Sequence, residues 1–395
     1  MRIATITFQQ DALSQMQALQ ADMAKTQSQL ATSKRLQSAS DDPAGMAQVN
    51  QLNVELSASQ QYVTNGNSAT ANLQLEAQAM SDATNLLQSA RDLAVQANNS
   101  ALTAAQRQDI ATQLQQQLQD LVAIGNRTDS NGSYLFAGNA SGTQPFAQSG
   151  NTVTYSGAIA VHQVQIAPNQ RISGADTGAT VFMNIPAGNG TFTTAAAAAN
   201  TGTASIGTGT VTNPGAWVPD TYSISFTSPT QYQVTNSGGT VVTSGTFTDG
   251  DSISFNGVQV AITGTPAAGD HFTVAKAGTA SAFSTLSNLV TTLSSTTLSS
   301  AQIATQIGGA LEQIDGAITN LNDVSASAGA RLNSITSSQS TAQTVQTNLQ
   351  TSISQLSDVD YAAAITRLNT EELSLQAAQQ SYASIARLSL FNYLK

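Results

Sequence analysis

Ile307, Ile314, Leu321, Ala328, Ile335, Ala342, Leu349 and Leu356 lie seven residues apart, and all eight are apolar. The companion series Leu311, Ile318, Ser325, Leu332, Gln339, Gln346 and Ile353 is apolar at four of its seven positions. A seven-residue repeat held over this length specifies a long helix whose apolar seam packs along another helix, as in a coiled coil. The polar members of the second series keep that seam thin. Gly308, Gly309, Gly316 and Gly329 each cost about 1 kcal/mol of helix propensity relative to Ala, which predicts fraying or a break near residues 308–316.

After Leu356 the phase slips. Tyr361, Leu368, Leu375 and Tyr382 form the next series, and the offset falls on Ser357-Asp358-Val359-Asp360. The amino-terminal flank mirrors this arrangement. Ile6 and Leu13 form one short series and Met16, Met23 and Leu30 another, ahead of Ser38-Ala39-Ser40-Asp41-Asp42-Pro43. Asp41 or Asp42 is placed to cap the next helix, with Pro43 in its first turn. Val49, Leu52, Leu56, Val63, Leu73, Ala77, Met80, Leu87 and Ala94 then share one heptad frame, interrupted at Ser59, Gly66, Thr70, Thr84 and Arg91. A third helix starts at the cap Thr103, carries Ile110, Leu114, Leu118, Leu121 and Ile124, and closes at Gly125-Asn126. Helices over about 43–98 and 302–356 would each extend about 80 Å, and those over about 9–38 and 361–390 about 45 Å. Flanks of matched length suit two arms running antiparallel.

Twenty of the 28 glycines lie between Gly138 and Gly278, and seven of the eight prolines between Pro145 and Pro266. The middle therefore reads as antiparallel β structure. Tyr222, Ile224 and Phe226 alternate with Ser and Thr. Gln231–Val234 runs into the turn Asn236-Ser237-Gly238-Gly239, and Asn256-Gly257 joins residues 252–255 to 258–262 as a two-residue hairpin. Pro266 to Asp270 turns the chain before Phe272 and Val274. Earlier strands are expected at 153–155, 161–166 and 181–185. Residues 187–216 are Ala/Gly/Thr-rich and read as a mobile loop or poorly formed strands; Trp217 reads as a core anchor. The expected fold is α+β and multidomain: an antiparallel coiled-coil helical rod built from both chain ends, with an inserted antiparallel β domain. Residues 1–42 with 357–395 form a terminal helical pair, 43–140 with 282–356 the rod, and 141–281 the insert.

Charged residues make up 9% of the chain, with 13 Lys+Arg against 23 Asp+Glu and a net charge of −10. Nucleic acid and anionic membranes are poor partners for such a surface. There is no cysteine, so thiol chemistry and disulfides are excluded. Neither a cleavable secretory signal nor a membrane span is expected. His162 and His271 have no legible orienting partner and read as surface or strand residues. Asp249-Gly250-Asp251 lacks the remaining ligands of a calcium loop and reads as a turn. Asp358 and Asp360, beside the joint, suit helix capping or an inter-subunit salt bridge. No catalytic, metal or cofactor site is expected.

What remains is assembly. The thin outer helices have apolar seams and little core of their own, so they are expected to be mobile in the monomer and to order against neighbours. The expected interface comprises Ile6, Leu13, Met16, Met23, Leu30, Tyr361, Leu368, Leu375 and Tyr382, with Leu390, Phe391 and Leu394 of the apolar tail. The joint comprises Asp41, Asp42, Pro43, Asp358 and Asp360. Alternatives are a surface adhesin with a coiled-coil stalk, and an enzyme housed in the β domain.

Three stretches resemble the flagellin superfamily of bacterial axial proteins. They are Ala31-Thr32-Ser33-Lys34-Arg35-Leu36-Gln37-Ser38-Ala39-Ser40-Asp41-Asp42-Pro43-Ala44-Gly45, Asp358-Val359-Asp360-Tyr361-Ala362-Ala363-Ala364-Ile365-Thr366-Arg367-Leu368, and Ser389-Leu390-Phe391-Asn392-Tyr393-Leu394. The Met-Arg-Ile start, Gly132-Ser133-Tyr134-Leu135-Phe136-Ala137-Gly138 and the Leu-Phe-Asn-Tyr-Leu ending resemble its hook-associated branch; a filament flagellin is the alternative. The resemblance implies an extracellular structural subunit, exported unfolded through the flagellar type III channel without a cleavable signal. A cytoplasmic export chaperone would bind its carboxy-terminal region. Copies would self-associate in a ring between hook-associated protein 1 and the first flagellin subunits, the outer helical pair lining the axial core and residues 141–281 facing solvent.

Overall fold

A computed structural model describes the backbone of residues 2–391 and the side chains of residues 7–384. Of the expected interface residues, Leu394 and the side chains of Ile6, Leu390 and Phe391 lie outside the described residues. Three helices open the chain: α1 (Arg2–Thr32), α2 (Pro43–Ala97) and α3 (Ala104–Gly125). Strands follow: β1 (Phe146–Ser149), β2 (Thr152–Tyr155), β3 (Gln163–Ala167), β4 (Gln170–Ser173), β5 (Ile185–Pro186), β6 (Phe192–Ala196), β7 (Ser205–Ile206) and β8 (Thr210–Val211). The insert continues through β9 (Thr221–Ser228), β10 (Gln231–Thr235), β11 (Val241–Thr246), β12 (Ser252–Phe255), β13 (Val258–Thr263), β14 (His271–Lys276) and β15 (Thr279–Ala280). Helices α4 (Ala282–Leu293), α5 (Ser300–Ser357) and α6 (Tyr361–Phe391) complete it. The chain divides into two compact units, Met1–Thr64 with Ser338–Lys395, and Asn65–Ser337.

In the Asn65–Ser337 unit, α2 and α5 run antiparallel: Ser325 Oγ lies 3.6 Å from Met80 Sδ, and Arg91 Nε donates to Asp315 Oδ1 at 2.7 Å. Ile307, Ile314, Leu321, Ala328 and Ile335 are all buried, as the heptad series requires. Facing them on α2 are Leu73, Met80, Leu87 and Ala94, together with a second seven-residue series, Ala69, Glu76, Ala83, Ala90 and Ala97. Alanine at four of these five positions keeps the side chains along that line of α2 small. No break appears in α5: the expectation of one near residues 308–316 is corrected. Ile303, Ile307, Ile314 and Ala317 are buried around the glycines, and tertiary burial outweighs a propensity deficit of about 1 kcal/mol per glycine.

Thr103 caps α3 through a capping box, its hydroxyl accepting from Gln106 N–H while Gln106 Oε1 accepts from Thr103 N–H. Helix α4, which the heptad reading passed over, starts the same way at Ser281 with Ser284. It buries Phe283, Leu286, Leu289, Val290 and Leu293 against α3. Here the core is aromatic: Phe146 lies 4.7 Å from Phe283 and 5.7 Å from Phe182, and Phe182 lies 5.2 Å from Phe136, ring centre to ring centre. Phe182 sits on a single π-helical turn, Ala179–Met183, where a strand was expected at 181–185. That turn buries both Val181 and Phe182, which successive strand positions would point to opposite faces.

Five strands of the insert form an antiparallel sheet in the order β11-β10-β9-β14-β6, and β13 pairs with β12, β7 and β8 in a second sheet. Both sheets contribute to one apolar core, with Tyr222, Ile224, Phe226, Phe272 and Val274 from the first and Ile253, Phe255, Val258, Val260 and Ile262 from the second. Asn256 and Gly257 take φ of 44° and 76°, as the tight hairpin turn requires. The Ala/Gly/Thr-rich segment 187–216 supplies one five-residue strand, β6, and two strands of two residues, of the two alternatives the poorly formed strands. Phe192 anchors it in the core, 5.7 Å from the half-buried ring of Trp217.

Glu76 is the exception on the α2 seam: its side chain is fully buried. One oxygen accepts from Asp176 N–H at 3.0 Å, and Oε2 has no hydrogen-bond partner. Asp176 is paired with Arg331 of α5. Burial, then the Asp176 charge, raises the Glu76 pKa from 4.5 to about 8, against the pull of Arg331. The unfolded chain releases this proton near 4.5 and the folded one near 8, so the folded state binds more protons between these values. Stability therefore falls as pH rises through that window, by at most about 1.4 kcal/mol per pH unit. Calorimetry between pH 5 and 8 is expected to show the melting temperature of the wild type falling with pH and that of Glu76→Gln staying level; parallel slopes would contradict this assignment.

Candidate assembly site at the paired chain ends

Within the Met1–Thr64 and Ser338–Lys395 unit, α1 ends at Ser33, whose φ of 60° is the left-handed turn of a helix C-cap. The strand-like segment that follows pairs with the break between α5 and α6. Lys34 and Asp358 form an isolated antiparallel bridge; Arg35 N–H donates to Ser357 C=O at 2.7 Å, and Val359 N–H to Ser33 C=O at 3.1 Å. Lys34 Nζ donates to Asp358 Oδ1 at 2.5 Å, and Arg35 Nη2 to Leu356 C=O at 2.6 Å. The two sequence joints are thus one structural joint.

Each joint aspartate has a separate task. Asp41 folds the loop: its Oδ2 accepts from Gln37 N–H and Ser38 N–H at 3.0 and 2.9 Å, and its Oδ1 pairs with Lys25 at 2.8 Å. Those contacts, Lys25 first, hold its carboxyl well below the usual carboxylate range. Asp42 is the α2 cap, accepting from Gly45 N–H at 2.9 Å, with Pro43 opening the helix. Asp360 caps α6 through Ala362 and Ala363 N–H at 2.9 and 3.1 Å. Asp358 pairs with Lys34 of its own chain, and Lys34 with the Ser354 and Ser357 hydroxyls lowers its pKa to about 2.

Beyond the joint, α1 and α6 pack antiparallel, with Thr26 Oγ1 donating to Glu371 Oε1 at 3.2 Å. Leu375 is buried, and Met16, Met23, Leu30, Leu368 and Tyr382 are half-buried. Leu13 and Tyr361 stay 49% and 50% exposed. Three exposed apolar residues were absent from the heptad series: Phe8 at 50%, Ile365 at 49% and Leu373 at 67%. Ile365 and Leu373 lie off the 361-368-375-382 line, on a flank the internal pairing leaves uncovered. Their signal was the apolar residues left over once that line had been assigned.

No group of three or more metal-ligating side chains occurs among the described residues, and no described helix is long and apolar enough to cross a membrane. His162 is exposed, and His271 Nδ1 lies 2.8 Å from Ser225 Oγ. Asp249 and Asp251 accept turn N–H groups from Gly264 and Thr248.

Matched helical ends enclosing a β insert define an axial protein of the flagellin type. Residues 3–141 match the bacterial flagellin N-terminal helical region, residues 311–394 the C-terminal helical region, and residues 195–276 the D2-like domain of flagellar hook-associated protein 1. FlgL from Xanthomonas campestris is 34% identical, with a TM-score of 0.71 over 76% of this chain and 98% of that one. Hook-associated protein 3 from Legionella pneumophila is 30% identical, with a TM-score of 0.73 over 78% and 98%. Flagellar hook-associated protein 3 of Salmonella typhimurium is 32% identical over 47% of this chain, and the match spans 58% of that protein's length. The chain belongs to the hook-associated protein 3 (FlgL) family.

The depressed Asp358 pKa stabilises the fold above the unfolded value of about 4, and that contribution is lost as pH falls toward 2. An exposed pair of this kind is worth at most about 1 kcal/mol. Trypsin at neutral pH is therefore expected to cut after Lys34 and Arg35 about two- to fivefold faster in Asp358→Asn than in the wild type. Unchanged cleavage would show that the backbone bridge holds the joint without the ion pair.

Proposed function

We propose that this chain is a structural subunit of the hook–filament junction of a bacterial flagellum. It works outside the cell. Copies associate in a ring between hook-associated protein 1 and the first flagellin subunits, and a cytoplasmic export chaperone binds the carboxy-terminal region before export. Residues 1–42 and 357–395 form the axial layer, 43–140 with 282–356 the surrounding helical layer, and 141–281 the solvent-facing one. The end helices reach full order on assembly.

The observation that carries this reading is the apolar surface that the end pair leaves uncovered: Phe8, Leu13, Tyr361, Ile365 and Leu373 are about half exposed or more on two thin helices. Large apolar side chains left exposed along so small an element mark an interaction surface. Family membership supplies the setting, and the charge-poor, cysteine-free composition suits threading and packing among identical copies.

Deleting the gene is expected to leave hooks without filaments while flagellin accumulates in the medium. Complementation with the wild type should restore filaments. The double variant Ile365→Asp and Leu373→Asp should not, although its circular dichroism and the melting of its β insert stay unchanged. Normal motility of that variant would count against the exposed flank as the assembly surface. Long filaments of the purified chain by electron microscopy, in place of a short collar, would assign it to the filament instead.

A further inference from the structure

The five-stranded sheet ends on β6, and among the described residues no strand pairs with its outer edge, although β7 passes close to it and Gln302 donates to the Ala198 C=O just beyond its end. Ala197 N–H donates to His271 C=O at 3.0 Å, and Ala277 N–H to Thr191 C=O at 2.9 Å. Antiparallel pairs alternate between bonded and non-bonded positions, so the ladder to β14 continues through Thr193 and Ala195. The N–H and C=O groups of Thr194 and Ala196 therefore point away from β14, and among the described residues they have no partner there.

Beside β6 lies a groove of about 650 Å³, walled on its other sides by α4 and α5. Leu289 and Leu298 give it apolar surface, and Asn288, Gln302 and Gln306 are among its polar residues. Two acceptors on α5 are left over. Gln313 Oε1 is buried without a hydrogen-bond partner. Glu312 makes no ion pair among the described residues, and burial, then Asp315, pushes its pKa up. The nearby Asp315 is already taken by Arg91. Among the described residues, no Lys, Arg, His or aromatic side chain lines the groove. An anion would find no cation there, and a sugar or base would find no ring to stack on.

An open strand edge beside an unneutralised carboxylate fits one class of ligand. We propose that this groove binds an extended peptide segment carrying a lysine or arginine, which adds to β6 through the backbone of Thr194 and Ala196 and sets its cation against Glu312. Strand addition supplies affinity through main-chain hydrogen bonds, and the charge supplies selectivity. The site lies outside the paired chain ends and does not depend on their role in assembly.

The test uses the full-length chain and acetylated heptapeptides of alternating Thr and Val, with one Lys walked through every position and Glu in the same places as controls. Fluorescence anisotropy is expected to find a Lys peptide that binds at least about tenfold more tightly than its Glu counterpart. Hydrogen exchange at Thr194 and Ala196 should slow when it binds. Glu312→Gln should erase the preference, and Ala196→Pro, which removes an edge donor, should abolish binding. Circular dichroism checks both folds, and Glu312→Gln alone decides the matter if the proline variant misfolds. Equal binding of Lys and Glu peptides, binding without protection of β6, or no binding across the set would overturn the proposal. Protection of the same amides that grows with protein concentration, without peptide, would overturn it in favour of a second copy of this chain.

Discussion

Lys34 and Asp358 are held side by side although 324 positions separate them. That closure lets both chain ends run together as one helical pair. Its entropic cost is modest for so long a loop, because loop-closure entropy grows only with the logarithm of length, about 0.6 kcal/mol per doubling. The ion pair does not do this alone. Backbone hydrogen bonds from Arg35 and Val359 fix the register, and Asp41, Asp42 and Asp360 fold the loop and start the two helices that leave it.

Burial is distributed unevenly along the helices. The α2 seam uses Ala69, Ala83, Ala90 and Ala97, which remove little area from water. The aromatic cluster of Phe136, Phe146, Phe182 and Phe283, beside α3 and α4, contributes far more, since each such ring buries roughly 150–250 Å². Stability is thus concentrated where the α2–α5 unit meets the short helices and the π turn. Glu76 interrupts the alanine line at a place where its carboxyl is met by Asp176 N–H and the Asp176–Arg331 pair. With charged residues so scarce, the long helices also satisfy polar side chains internally: Thr336, Thr344, Thr347, Thr351 and Ser352 each donate to the carbonyl four residues earlier.

Residues 192–274 of the β insert have a core of their own, and residues 195–276 match the D2-like domain of hook-associated protein 1, while the helical flanks match the flagellin regions. A fold that keeps its ends for pairing and varies its middle can present different chemistry to the outside without disturbing the joint. The groove beside β6 lies within the Asn65–Ser337 unit.

Heptad spacing, the caps at Thr103, Asp42 and Asp360, and the Asn256-Gly257 hairpin were legible in the sequence because each rests on contacts within a few residues. Periodicity, an N-cap and a tight turn are local chemistry, and they also announced that the two flanks match. The 361-368-375-382 line became mainly the internal seam, and Ile365 and Leu373 beside it remained uncovered. Other features depended on what the chain meets far away in sequence. Gly308 and Gly309 stay helical because distant side chains bury the residues around them. The burial of Glu76, the π turn at Phe182, the choice of Lys34 as the Asp358 partner and the open edge of β6 are equally non-local. Caps, tight turns and apolar periodicity are decided by neighbours along the chain; charge state, register and exposure are decided by neighbours in space, and only the folded structure brings those together.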